Sequence, residues 1–294
     1  MRIVTLAVVL AVFVTAQAQE ADTLRAADGW RSSLVASLAG NQAAFSNWQE
    51  GGVSALAATA EVDGQFDRVV GSVLTTQELR LALGVLRQDT LALRKALDVA
   101  RYAVTAELAS DRPIRPAVSA TVRSQFAPGY DYAPAAADYP SLSVVPGQAL
   151  KVSDALAPLV FAQTVGLAYR PGNGLVGRLG LGLKETVVAI ERLRPVYGNA
   201  LDEAVRVEAG VDAELALERP LAENVTLRSR LAAFQGFSQI GAEAPDVVFE
   251  NGLVLKVNDV LNVRIEGTAL YDADVSADVQ LREVLSVGVS LGLL

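Results

Sequence analysis

The sequence predicts an all-β fold, a closed antiparallel transmembrane β-barrel of about twelve strands with short periplasmic turns and long outer loops. Three observations carry that expectation. The first is the stretch Val205 to Leu217, V-R-V-E-A-G-V-D-A-E-L-A-L, whose odd positions are all Val, Ala or Leu while Arg206, Glu208, Asp212 and Glu214 fall on even ones. Successive strand side chains point to opposite faces, so this is a strand with one apolar and one charged face. Strands of soluble sheets usually run about 5–6 residues, and this one is long enough to cross a membrane at a tilt. The second is that hydrophobic residues make up 51% of the chain, yet no uncharged apolar run long enough for a membrane helix follows the N-terminus. The longest stretch of that kind, Ala155 to Tyr169, is too short and carries Pro158. The third is the regular alternation of short and long connections between the strand-like segments.

Residues 1–18 place Arg2 before an apolar core and end on Ala16-Gln17-Ala18, the pattern of a secretory signal peptide cleaved near Ala18. Residues 19–29 are polar and are expected to be a short periplasmic lead, leaving 30–294 as the barrel. Strand-like segments fall near 30–40, 53–64, 67–85, 95–109, 114–127, 157–170, 174–187, 203–218, 223–237, 247–257, 259–272 and 279–293. Turn-like connections are expected at Ser110 to Pro113, Pro171 to Gly174, Arg219 to Glu223 and Asn258-Asp259. Longer ones are expected at Asn41 to Gly52, Arg87 to Arg94, Pro128 to Leu156, Val188 to Asp202, Ser238 to Asp246 and Ala273 to Asp278. With both termini periplasmic the long loops face outward, and an even strand count removes the sheet edges that lipid would not tolerate.

The charge is −8 and both cysteine and histidine are absent. The acidic balance argues against a nucleic-acid surface. Without cysteine there is no disulfide framework or thiol nucleophile, and without histidine there is no Ser–His hydrolase or His-ligated zinc. No catalytic residue, cofactor or metal site is therefore expected, and a non-enzymatic chain is favoured. A carboxylate-only mechanism using Glu208 and Asp212 is the enzymatic alternative.

The charged face of Val205 to Leu217 is expected to line the lumen. Across the neighbouring strand, Glu208, Asp212 and Glu214 would face Arg228 and Arg230, with Arg206 beside them. Arg264, Glu266 and Arg282 occupy the same face of the last two strands, and Arg80, Arg101, Arg123 and Lys184 are further inward basic candidates. A selective pore would favour a ring of one sign. These signs nearly balance, which favours a cross-linked polar lumen. Gly180 and Gly182 lie in an alternating glycine run, as expected where the lumen is crowded.

The first long loop reads Phe45-Ser46-Asn47-Trp48 and then Gly51-Gly52; later come Gln125-Phe126-Ala127-Pro128-Gly129-Tyr130, Leu156-Ala157-Pro158, Tyr271 to Asp274 and Glu283-Val284-Leu285. In this order these motifs resemble family 3078 of the domains of unknown function, outer-membrane β-barrel proteins of Bacteroidota-type bacteria. The resemblance runs over nearly all of the chain after the leader. It implies a fold and a location and no activity. The chain departs from the pattern at Ala273, where an acidic residue is common, and at Leu293-Leu294, where many barrels end on an aromatic.

The two motifs Phe45 to Gly52 and Phe126 to Tyr130 would share the outer mouth, as a plug or an aromatic belt rather than a gate. Asp272, Asp274 and Asp278 are expected to form a solvated acidic loop, and Trp30, Phe126, Tyr169 and Tyr271 an interfacial girdle. The sequence thus leads to a monomeric barrel of the bacterial outer membrane. Its expected partners are membrane lipid, lipopolysaccharide and the barrel-assembly machinery, and its role that of a structural element or a narrow passive conduit. A selective solute channel is the alternative.

Overall fold

A computed structural model describes residues 29–44 and 53–294. Twelve antiparallel strands close into one barrel: β1 (Gly29–Ala43), β2 (Ala55–Val70), β3 (Val73–Gln88), β4 (Arg94–Leu108), β5 (Ile114–Ser124), β8 (Leu159–Tyr169), β9 (Leu175–Val187), β10 (Val205–Ala222), β11 (Val225–Gly236), β12 (Asp246–Lys256), β13 (Leu261–Asp272) and β14 (Ser276–Gly292). Two short strands, β6 (Gly129–Asp131) and β7 (Leu150–Ser153), pair with each other inside the connection from β5 to β8. Neighbours in sequence are neighbours in the wall, and β14 returns to β1 to seal it. That seam is the shortest, six paired residues from Val35↔Gly292 to Gly40↔Val287.

Side chains are distributed the opposite way from those of a soluble protein. Leu281 is 80% exposed, Val165 67% and Leu181 65%, while Glu107, Arg115, Glu61 and Glu208 are buried. Alternation sends most apolar side chains outward and most charged ones inward, with exceptions such as Gln77 of β3, which accepts from the exposed Tyr102 hydroxyl at 2.7 Å. An exposed apolar band around a closed sheet is stable only against hydrocarbon, and closure gives the strands of the wall backbone partners on both sides. At the inner end Trp30 and Tyr169 are exposed, and the Arg68 guanidinium lies 5.2 Å from the Trp30 ring centroid.

Three expected boundaries are corrected. The Asp63-Gly64 pair does not end a strand: β2 continues to Val70 because Asp63 pairs with Arg80 and Gly64 with Leu79, and the turn falls at Gly71, whose φ is +57°. β10 likewise runs through Pro220 to Ala222, absorbing the proline in a register shift, so the turn is Glu223-Asn224 and not Arg219 to Glu223. The last outer connection is only residues 273–275, because β14 begins at Ser276. Of the remaining outer connections, 89–93 is short, whereas 125–158, 188–204 and 237–245 are long. At Asn258 the side-chain oxygen accepts from the backbone N–H of Val260 (2.9 Å) and Leu261 (2.7 Å), which fixes the tight turn expected there.

β8, β9 and β10 approach closely through glycine. Gly166 pairs with Gly180, and a Cβ on Gly180 would lie 2.5 Å from the Val165 carbonyl oxygen. Gly267 is the contrast, with nothing within 4 Å of its notional Cβ. Gly180→Val is expected to cost about 1–3 kcal/mol through overpacking, and Gly267→Val nearly nothing, in urea titrations of the folded barrel. Equal midpoints for the two variants would refute the close-approach account.

Candidate functional site: the charged lumen

The inward faces carry ion pairs gathered into three clusters. In the first, Glu61 of β2 meets Arg80 at 2.9 Å and Arg264 at 2.6 Å, and Arg80 also lies 3.7 Å from Glu266. Arg264 further donates to the Ser37 and Ser290 hydroxyls at 2.7 and 3.2 Å. In the second, Glu214 accepts from Arg178 and, at 2.8 Å, from Arg230, which reaches Glu250 at 3.1 Å. In the third, Glu208 lies 2.9 Å from Lys184 and 3.0 Å from Arg206, while Lys184 meets Asp246 at 2.6 Å and Arg206 pairs with Asp274. Near the inner end Arg170 grips Glu107 through its Nε and Nη2, at 2.8 Å for the closest contact. The buried charges of these clusters persist because each has an opposite neighbour.

The structure regroups the sequence-derived residues. Glu214 and Arg230 come together, but Arg228 turns to Glu218 at 3.1 Å in an exposed pair, and Glu208 meets β9 and its own strand rather than β11. Asp212 has no cation within 4 Å among the described residues. Arg264 and Glu266 join the Glu61 cluster, and among the described residues Arg282 reaches only the Thr268 hydroxyl, at 3.2 Å. Asp274, expected to be a solvated acid, is held by Arg206 instead. Glu61 is absent from the expected lumen charges although it lies inside the expected 53–64 segment; its alternation with Asp63, Gln65 and Asp67 stands out once β2 runs on to Val70.

The two longest described outer loops meet over the mouth. Residues 188–204 form a built cap: Glu191–Tyr197 is a 3₁₀ segment, Leu193 is fully buried beneath it, and Gly198 ends it at φ 74°. Asn199 donates to the carbonyls of Thr186 (3.0 Å) and Glu203 (3.2 Å). The 125–158 loop is anchored at its root, where the Asp98 carboxylate accepts from the Phe126 and Ala127 amides at 2.8 and 2.9 Å. Lys95 lies 3.0 Å from Asp98 and donates to the Ala127 carbonyl at 2.7 Å. Tyr197 joins the two loops by donating to the Val152 carbonyl at 3.0 Å. Burial pushes the Tyr197 hydroxyl up to about 12, against hydrogen bonds with Ser153 and Gln125, so it stays a neutral donor. Tyr139 is likewise raised to about 12, by burial and then by its hydrogen bond to Asp131.

Of the expected outer-mouth residues, Phe45, Ser46, Asn47, Trp48, Gly51 and Gly52 lie outside the described residues. Phe126 and Tyr130 are exposed on the outer loop, with the Tyr130 and Tyr132 rings 6.3 Å apart, and Gly129 belongs to β6 just after Pro128. A Cβ on Gly129 would fall 2.2 Å from the Ser153 hydroxyl, so the β6–β7 contact needs glycine there.

Residues 40–130 match the family model described as "Protein of unknown function (DUF3078)". The matched stretch takes in the F-S-N-W-x-x-G-G and Q-F-A-P-G-Y motifs, whereas the later motifs of the resemblance fall beyond it. No curated protein matches the chain in sequence. In backbone shape the chain is similar to the translocator domain of autotransporter NalP from Neisseria meningitidis, with 10% identity, 91% of this chain and 89% of that chain covered, and a TM-score of 0.37. It is similar to the COG4313 outer membrane channel from Pseudomonas putida F1, with 7% identity, 92% and 98% covered, and a TM-score of 0.40. It is also similar to the Pseudomonas putida toluene transporter TodX, with 11% identity, 91% and 89% covered, and a TM-score of 0.31. At these scores the likeness reaches no residue of the lumen.

Beneath the loop junction lies a cavity of about 260 Å³, lined by Arg123, Ser124, Gln125, Ser153, Val160 and Tyr197 among others. A second, of about 320 Å³, lies against the Glu61 cluster and reaches Asn41 and Ser286 near the seam. Both cavities thus lie beside side chains that bridge the lumen.

Proposed function

We propose that this chain is a monomeric barrel of the bacterial outer membrane and acts as a narrow, passive conduit for small hydrophilic solutes. One observation carries the reading: the paired charges leave two cavities of about 260 and 320 Å³ in a lumen otherwise lined by polar side chains. The apolar exterior supports the membrane setting, since only closed barrels or helices satisfy their backbone in lipid. Lipid and lipopolysaccharide are the surroundings of such a barrel, and the alternating last strand is what the assembly machinery would engage.

The balance of signs supports a conduit of low charge selectivity rather than a dedicated transporter. Glu208, one of the two carboxylates a hydrolase would need, is tied to both Lys184 and Arg206. Both of its close partners are cations that fix it in the lumen wall, and that structural engagement favours a non-enzymatic role.

Planar bilayers test the proposal. Purified protein that shows the heat-dependent gel shift of a folded barrel is expected to give small, voltage-independent conductance steps. Folded protein that produces no steps and passes no solute into vesicles would reduce the barrel to a structural element.

A further inference from the structure

Arg80, Arg101 and Arg123 are direct cross-strand partners on β3, β4 and β5, a row of three guanidinium groups along one lumen wall. Like charges set opposite one another repel, so each needs compensation. Arg80 has Glu61 at 2.9 Å and Glu266 at 3.7 Å, and Arg101 has Glu78 at 3.1 Å. Arg123 has none: among the described residues no hydrogen bond or ion pair holds its side chain, although its backbone pairs with β4 and β8. The side chain remains exposed to lumen water and borders the 260 Å³ cavity. Asp98, the one carboxylate of that cavity, is already engaged by the Phe126 and Ala127 amides and by Lys95.

We infer that Arg123 and the cavity beside it form a binding station for a small organic carboxylate. A guanidinium offers a planar fork that matches a carboxylate in two parallel hydrogen bonds. Ser124, Ser153 and Tyr197 border the same cavity with hydroxyls already donating to the Pro158 carbonyl, the Gln125 side chain and the Val152 carbonyl. The Arg123 fork is therefore what a carboxylate would engage, while Val152, Pro158 and Val160 supply apolar wall for a short carbon chain. That mixed lining favours a carboxylate with an alkyl tail over a fully hydrated inorganic anion. The inference deepens the conduit reading and rests on it for access, since a solute reaches Arg123 only through a water-filled lumen.

Isothermal titration of folded, detergent-solubilised protein with sodium butyrate tests the station without requiring conductance. The wild type is expected to bind butyrate, and Arg123→Gln to bind it about tenfold or more weakly, as loss of a charged hydrogen-bond partner implies. Arg68→Gln, at a residue whose guanidinium lies 5.2 Å from the Trp30 ring at the inner end of the barrel, is expected to bind as the wild type does. If Arg123→Gln does not give the folded gel band, Arg123→Lys, keeping the charge without the fork, is expected to show an intermediate loss. Absence of butyrate binding by the wild type, or equal binding by the folded Arg123 variant, overturns the station. Inorganic phosphate binding more tightly than butyrate overturns the carboxylate class. Butyrate binding without bilayer conductance defeats the conduit alone, and conductance without butyrate binding defeats the station alone.

Discussion

Leu181→Arg is expected to destabilise the barrel in lipid vesicles by about 2–4 kcal/mol, the cost of a basic side chain at the bilayer midplane. Leu181 lies midway along β9 and is 65% exposed on the outer face. The same change at Val70, the last residue of β2 beside the Gly71 turn, is expected to cost about 0–1 kcal/mol, because the headgroup region and water are within reach. Urea titration of folding into vesicles measures both. The contrast with depth is the decisive feature. On a water-facing surface an exposed leucine accepts arginine at little cost wherever it sits, so two small and equal effects would remove the membrane from the account.

The apolar band was legible in the sequence because alternation is a local property. Val205 to Leu217, Leu261 to Tyr271 and Leu281 to Leu293 each declare their two faces without reference to any neighbour. Turns were less legible. Asp63-Gly64 has the chemistry of a hairpin turn, and only the pairing of Asp63 with Arg80 shows the chain continuing. Glu61 lies inside the expected segment, but its partners Arg80 and Arg264 come from other strands. The ion clusters were the least legible, because their members come from strands far apart in sequence. Arg264 and Glu61 are separated by 203 residues, and Arg206 and Asp274 by 68. Which inward charge meets which depends on closure and strand stagger, quantities that no single strand encodes. Arg123 shows the limit most clearly. Its inward position follows from alternation, but its lack of a partner emerges only when the neighbouring strands are in place.

Glu61→Ala is expected to lower barrel stability by about 3 kcal/mol, the scale of breaking a buried pair and leaving the opposite charges uncompensated. Glu61 is 8% exposed and stands between Arg80, 29% exposed, and Arg264, 15% exposed. Lumen water at Arg80 screens part of that loss, so most of the effect is expected to run through Arg264. The Arg264 contact spans the seam: Glu61 belongs to β2 and Arg264 to β13, with β1 and β14 between them in the wall. Arg264 also holds Ser37 of β1 and Ser290 of β14, whose hydroxyls lie 2.8 Å apart. Side chains from four strands thus converge over the closure that has only six paired residues. Glu61→Ala is therefore expected to accelerate amide hydrogen exchange first along β1 and β14, leaving β9 and β10 near wild type. A double-mutant cycle with Arg264→Ala is expected to show a coupling of about 1 kcal/mol or more. Uniformly faster exchange around the barrel, or a coupling near zero, would mean that the cluster fills the lumen without securing the seam.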